Sequence, residues 1–377
     1  MKIALARLPA LSLLILSLVI LGVSNAATDG HAVAEKKIRI MVVSSYHREY
    51  IWSQNTNEGV VAALHKFNYL DSREQGEVFT RDDFVESSRA QIKKMWMNTK
   101  RKNSRRDISA ALTRITREID AFGPDIILLG DDNAANYIGN HYIDTDIPVV
   151  FWGINGTPLK YGLLDSKVRP GHNITGVYQG GHHFKAIEYF KKLVPGLKRI
   201  AVLSDDSPTG RAHAKRIKRY ADEGTLPVEL VEVVVTNSLS EWKSRTLALQ
   251  PQVDGFFMSA HQTMKDDDGH HVDQLEVGAW YLNNIHKPEI VPAKYMVMEG
   301  MLCTVDESGY LQGYEAMRIA HEILTKGTDP ATMAPFSPGH GPFIVNSRRA
   351  EALGLSGKLK ELEGIIDETL DMSRALE

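Results

Sequence analysis

Two adjacent carboxylates, Asp131 and Asp132, follow the apolar run Ile126-Ile127-Leu128-Leu129 and precede Asn133. A carboxylate in that position can pair with a ligand ammonium, and it can equally cap a following helix by accepting from backbone N–H groups. Asn133 donates and accepts, which suits a carboxylate, an amide or a hydroxyl as well as a cap. Four other polar or aromatic groups follow apolar runs in the same way. They are Ser44-Ser45-Tyr46-His47, Trp152-Gly153-Ile154-Asn155, Ser204-Asp205-Asp206 and Ser259-Ala260-His261-Gln262. Tyr46, Trp52, Trp152 and Tyr178 offer flat faces for a planar or apolar ligand part, although any one of them also fits a core position. Ser44, Ser45 and Ser259 sit where a hydroxyl and a helix start together bind carboxylates, and serine is also an ordinary turn residue.

Other chemistries find less support. His261, His270 and His271 flank Asp266-Asp267-Asp268, and His182-His183 form a further pair, but neither group has an established metal-ligand spacing. No metal and no cofactor is therefore expected. There is no GxSxG elbow, Cys303 lies in no recognisable catalytic signature, and Gly180-Gly181 lacks phosphate-loop spacing, so no enzyme is expected. The competing class is a hydrolase or metal-dependent enzyme working in the same cleft.

The elements that must position these groups alternate. Ile38–Val43 reads as a buried strand and is followed by a helix from about Trp52 to Phe67. Asn68 to Thr80 reads as irregular, and Ile92 to Met97 as a second strand. Ile108, Leu112, Ile115, Ile119 and Phe122 recur at steps of four and three, placing one apolar face on a helix that Gly123-Pro124 stops. Strands at Ile126–Leu129 and Pro148–Trp152 complete a first series. A second begins near Gly181, with strands at Arg199–Leu203, Val228–Val235 and Gly255–Ser259 and helices between them, one of them Arg211–Asp222. Such alternation implies parallel sheet with helices on both faces. The fold class is therefore α/β, with two doubly wound lobes. Sheets of this kind bind ligands outside the carboxyl ends of their strands, where all five polar loops lie.

The N-terminus carries Lys2 and Arg7, an apolar run from Leu8 to Val23, and Ser24-Asn25-Ala26, the three-part pattern of a signal peptide over residues 1–26. Cleavage after Ala26 gives a soluble periplasmic protein, with no lipid-attachment cysteine near that site. The single cysteine, Cys303, allows no intramolecular disulfide, so burial must supply stability. A mature chain of about 350 residues is long enough for two domains. Loss of Lys2 and Arg7 takes the formal charge from −3 to −5. That mild balance gives no reason to expect nucleic acid or an anionic membrane as partner.

The segments SSYHREYIWSQNTNEGV from Ser44, MNTKR from Met97, PDIILLGDDNAANYI from Pro124, IPVVFWGIN from Ile147, NITGVYQ from Asn173 and PFIVNSRRAEALGL from Pro342 together span nearly the whole mature chain. At these residues the sequence resembles the type I periplasmic solute-binding proteins, in particular the ABC-transporter substrate-binding family with its tryptophan- and tyrosine-binding members. The resemblance is nearer to members that serve as sensor modules of histidine kinases and cyclic-dinucleotide enzymes. It implies three crossings between lobes, with lobe one at 36–176 plus 301–326 and lobe two at 177–300 plus 327–377, and closure on a small polar, amino-acid-like solute. It further implies a monomer that meets an inner-membrane ABC permease or a sensor protein. The family pattern puts ligand contacts on the five loops, and with the aromatic candidates Trp52 and Tyr178 the expected set is Ser45, Tyr46, Trp52, Asp131, Asp132, Asn133, Trp152, Asn155, Tyr178, Asp205, Ser259 and His261. Trp152, Asn155 and the insertion-like segment from Arg81 to Lys94 depart from the transport members.

Overall fold

A computed structural model describes residues 36–155 and 157–372; the expected leader, residues 1–26, lies outside the described residues. The first lobe is laid down in the order β1 (Ile38–Ser44), α1 (Ile51–Lys66), α2 (Arg73–Asp82), β2 (Phe84–Glu86), β3 (Ala90–Trp96), α3 (Arg105–Phe122), β4 (Ile126–Gly130), α4 (Asp131–Asn133), a π-helical turn Ala134–Gly139, α5 (Asn140–Tyr142), β5 (Val149–Ile154) and β6 (Ile174–Tyr178). The second lobe follows with α6 (His183–Leu193), β7 (Arg199–Ser204), α7 (Pro208–Asp222), β8 (Glu229–Val235), α8 (Leu239–Leu249), β9 (Gly255–Ala260), α9 (Gln274–Asn284), β10 (Glu289–Val291), α10 (Lys294–Met298) and β11 (Cys303–Val305). Then come α11 (Gly309–Lys326), β12 (Phe343–Asn346), α12 (Ser347–Ala352), α13 (Ser356–Glu361) and β13 (Glu368–Leu370).

The sheets run β2-β3-β1-β4-β5-β6 and β13-β12-β11-β10-β9-β7-β8. Both are mainly parallel, with antiparallel pairing at β2–β3 and β11–β12. In each sheet the strand order reverses beside its first long strand, between β1 and β4 and again between β7 and β9. Such switch points leave a crevice at the strand ends, because the two flanking connections depart to opposite faces. The backbone treats the two crevices alike: Ser45 N donates to Gly130 O at 3.0 Å, and Asp205 N to Ala260 O at 2.8 Å.

The strands form where apolar runs can be buried on both faces, as in β4, β5 and β9, whose residues are buried throughout. Helix α3 buries Ala111, Ile115 and Ile119 toward the sheet, and Ser104 caps its start by accepting from Asp107 N. Two sequence expectations are corrected, the irregular stretch at 68–80 and the start of α7. The stretch read as irregular from Asn68 to Thr80 contains most of α2, which Phe79 anchors in the core while Gly76 lets it approach Val61 and His65. The insertion-like segment from Arg81 to Lys94 is the end of α2 plus an edge hairpin, β2 against β3. Helix α7 also starts earlier than Arg211, at Pro208, with Ser207 accepting from Gly210 N at its cap.

The chain passes between the sheets three times. It leaves the first after β6. It stays in the second through β11, and α11 then packs against α1 and β5. Val177 pairs with Phe336 before the chain enters β12 in the second sheet.

Candidate functional site

Tyr46, Tyr50 and Trp52 extend from the first lobe into an apolar cluster built mainly by the second, which includes Ala293, Tyr295 and Met296. Polar contacts accompany that packing. The Tyr50 and Tyr295 hydroxyls lie 2.9 Å apart, the Tyr46 hydroxyl is 3.1 Å from Thr209 Oγ1, and Lys100 Nζ is 3.5 Å from Gln262 Oε1. The two crevices therefore face each other in a closed arrangement.

Two adjoining cavities remain between them. The larger, about 260 Å³, is walled by Tyr46, Thr99, Lys100, Asp132, Asn133 and Tyr137 on one side and by Asp206, Ser207, Thr209, Arg211, Asn237 and Thr263 on the other. The smaller, about 30 Å³, lies among Tyr50, Trp52, Asn155, Gln179, His213, Ser259, Tyr295 and Glu307. Tyr46, Lys100 and Thr209 line both and form the partition. The larger volume falls just under the range of about 300–1,000 Å³ of drug-sized sites, so it suits a small metabolite.

Asp131 adopts a left-handed backbone (φ 67°), and Gly153 is required opposite it, since a Cβ there would come within 2.5 Å of Asp131 Oδ1. That oxygen accepts from Trp52 Nε1 at 2.8 Å, while Oδ2 is buried without a partner. Burial holds the Asp131 carboxyl well above the usual range, against the pull of the Trp52 hydrogen bond, and Asp132 adds to the rise. Asp132 accepts from the Tyr161 hydroxyl at 2.8 Å and from Asn155 N at 3.2 Å. Asn133 donates to Thr99 Oγ1 at 2.9 Å. Burial lowers Lys100, opposed by Asp205, Asp131 and Asp132. Its ammonium also lies 4.7 Å from the centre of the Tyr46 ring. Lys100 and Asp131 attract each other, yet for both the loss of hydration outweighs the attraction.

Of the expected residues, Tyr46, Trp52, Asp132, Asn133, Asn155 and Ser259 line one cavity or both. The others stand behind the walls. Ser45 stitches the first crevice, its hydroxyl donating to Gly130 O at 2.6 Å and accepting from Ala134 N at 2.8 Å. Asp205 does the same for the second, accepting from Ser207 N and Oγ on one oxygen and from Gln262 N and Thr263 N on the other. Burial alone would raise Asp205, but Lys100 and these donors bring it below its ordinary value. Trp152 lies in the first lobe's core over Gly130, where a Cβ would meet its ring at 2.3 Å. Tyr178 is half-buried beneath Lys167, whose ammonium is 5.0 Å from its ring centre. His261 is fully buried 3.4 Å from Glu299.

Sequence reasoning missed Lys100, Tyr50, Thr209, Arg211 and Tyr295. Ser207-Pro208-Thr209-Gly210 carries a readable signal, a capping serine with proline at the first helical position. Lys100 sits in the basic run Lys100-Arg101-Lys102, which by composition reads as solvated surface.

Among solved structures, an ABC domain from Streptococcus pneumoniae in complex with L-Trp is 18% identical, with a TM-score of 0.67 over 89% of this chain and 100% of that one. A conserved domain protein from Vibrio cholerae is 17% identical, with a TM-score of 0.68 and the same coverage. A substrate-binding protein with adhesive properties from Clostridium difficile, solved ligand-free and open, is 19% identical, with a TM-score of 0.62 and again 89% and 100% coverage. At these identities the likeness shows the fold, that of the type I periplasmic binding proteins. No curated protein matches the chain. Among the described residues no helix is long and apolar enough to cross a membrane. The family described as ABC transporter substrate binding protein matches residues 86–360, most of the chain, and the chain accordingly belongs to that family.

Proposed function

We propose that this substrate-binding protein captures a small zwitterionic solute of the amino-acid type, with an aromatic or apolar part, in the larger cavity and presents the closed form to an ABC permease of the inner membrane. The observation that carries the reading is the wall chemistry: Lys100 and Asp132, the Arg211–Asp206 ion pair at 2.8 Å, and the flat apolar faces of Tyr46 and Tyr137 all stand on one cavity. A zwitterion can meet both charge types at once through charge-assisted hydrogen bonds, whereas a neutral sugar gains only ordinary hydrogen bonds from the same walls. The three passages between the sheets, at 179–182, 306–308 and 337–342, then act as the hinge, so that the first lobe comprises 36–178 plus 309–336. The signal pattern at residues 1–26 and the family together favour the periplasm, with the protein acting as a monomer.

Mass spectrometry of small molecules released from freshly purified, denatured protein tests the proposal. An amino acid or close relative, present near one per chain and raising the melting temperature when returned to stripped protein, is the expected result. Binding to the native state alone stabilises it by about 2.7 kcal/mol at a ligand concentration of 100 times Kd. A library of amino acids that leaves the melting temperature unmoved, with a shift from a neutral sugar instead, would sink the zwitterion reading. Uptake lost on gene deletion supports the permease; intact uptake with altered signalling would assign the protein to a sensor.

A further inference from the structure

His183 begins α6, His213 lies within α7, and Glu307 stands in the link between β11 and α11. Each residue offers one ligand atom, all within 4.8 Å of one another, and all three are buried. His183 Nε2 lies 2.5 Å from His213 Nδ1. Glu307 Oε2 and His183 Nδ1 are buried with no hydrogen-bond partner. Buried polar atoms are nearly always satisfied, so the bare Glu307 Oε2 beside two imidazoles calls for a bound group. The nearby cation Arg216 attracts the carboxylate but makes no ion pair with it, its guanidinium donating instead to Gly180 O at 2.6 Å.

We propose that His183, His213 and Glu307 hold one divalent transition-metal ion of the zinc type, with an open coordination position toward the cleft. Two imidazoles and one carboxylate form a donor set that zinc favours when a fourth position is left for water or substrate. Tetrahedral bonds of about 2.0–2.1 Å set ligand atoms roughly 3.3 Å apart, which the cluster reaches by small side-chain shifts that also part the two imidazole nitrogens. His213 and Glu307 line the smaller cavity, so the fourth position opens there. Its volume of about 30 Å³ admits a water or a single donor group. The ion ties the link that holds Glu307, and the start of α6 directly after another link, to α7. The solvent-exposed group Asp266, Asp268 and His270 does not share these features: Asp266 Oδ1 already accepts from Asp268 N and His270 N.

The test is calorimetric titration of Zn²⁺ into chelator-treated, untagged protein, with Co²⁺ as a visible-absorption probe of coordination geometry. One ion per chain and a tetrahedral Co²⁺ spectrum are expected. His213→Gln and Glu307→Gln should each weaken binding at least tenfold, and Asp268→Asn should leave it unchanged. Circular dichroism and urea midpoints accompany every variant. If buried His213 does not tolerate glutamine, the nearly isosteric Glu307→Gln decides. The proposal is overturned if the folded parent binds no stoichiometric ion, if folded Glu307→Gln binds as the parent does, or if Asp268→Asn abolishes binding.

Discussion

Glu289 and Asp205 in the second lobe are buried carboxylates with every oxygen hydrogen-bonded, whereas Asp131, Lys94 and Lys100 in the first lobe are buried ionisable groups that their surroundings compensate only in part. Glu289 accepts from Leu302 N at 2.8 Å and from Arg349 Nε and Nη2 at 3.1 and 2.9 Å. Asp205 has its four donors. By contrast, Asp131 keeps one oxygen unpartnered, and burial pushes the Lys94 ammonium down to about 7, only partly opposed by Asp83. Ser45 and Asp205 occupy matching positions after the first long strand of each sheet, and the same contrast appears there as a neutral stitch against a charged one. The difference teaches where the fold holds its charges for itself and where it leaves electrostatic demand open. A solute can meet that demand beside the larger cavity, at Lys100 and the Asp131–Asp132 pair.

The largest expected effect breaks the fully bonded pair, Glu289 with Arg349. Arg349→Met leaves Glu289 buried without its cation, and removing one partner of a buried pair costs about 3–5 kcal/mol. Urea unfolding at pH 7 should show a loss of that order. A loss under about 1 kcal/mol would mean that the pair contributes no more than a surface ion pair, and the contrast between the lobes would fail.

Lys94 should behave in the opposite sense. Its ammonium stands over the Phe79 ring at 4.2 Å and donates to Asn57 Oδ1, with no carboxylate bound to it. The folded pKa of about 7 lies below the unfolded value, so between the two the unfolded state holds the extra proton and stability rises with pH. The parent should gain up to about 1.4 kcal/mol per pH unit from this group between pH 7 and 9. Lys94→Met lacks that increment and should be the more stable protein at pH 7, by about 1 kcal/mol. Parallel stability curves for parent and variant across that range would show that Lys94 is not held in its neutral form.

The architecture and the first-lobe carboxylates were legible in the sequence because both rest on local patterns. Apolar runs ended by polar groups mark parallel strands and their carboxyl ends, and that placed Tyr46, Asp131 and Asp132 beside the crevice. Side-chain direction was not legible in the same way. Trp152 ends a run whose residues are buried on both faces, so nothing local distinguishes pointing into the core from pointing into the cleft. Lys100 was missed for the converse reason: a basic run reads as solvated, and only the second lobe, through Gln262 and Asp205, takes this one lysine out of water. His183 and His213, 30 residues apart on successive helices, meet Glu307 only through packing of the link before α11, beyond any spacing rule. Helix α2 was missed because its sequence is mostly polar and it is held by Phe79 and a close approach at Gly76.

Asp132→Asn sharpens the comparison at the cavity itself. The substitution keeps an acceptor for Asn155 N and turns an NH2 donor toward the Tyr161 hydroxyl, which can accept, but removes the charge that a solute ammonium would meet. Charge-assisted hydrogen bonds contribute about 1.5–3 kcal/mol, so affinity by calorimetry should fall roughly tenfold or more while stability changes little. Unchanged affinity would reduce Asp132 to a bracket for Tyr161, equivalent to Asp205 in the other lobe.

The smallest effect concerns the contact that joins the two sides. Tyr50→Phe removes one hydroxyl of the 2.9 Å pair with Tyr295 and leaves the ring packing of the cluster in place. A neutral hydrogen bond contributes about 0.5–1.5 kcal/mol, and here it acts only when the lobes are closed. The closed population, and with it the apparent affinity, should fall by about two- to tenfold, since affinity scales with the fraction that is competent to bind. The loss should appear mainly in the dissociation rate, because the bond forms after the solute has entered. Global stability should follow the same small figure only in the presence of ligand. Equal destabilisation with and without ligand would place the Tyr50–Tyr295 contact in the ground state of the free protein, and the pair would then be part of a permanently closed core.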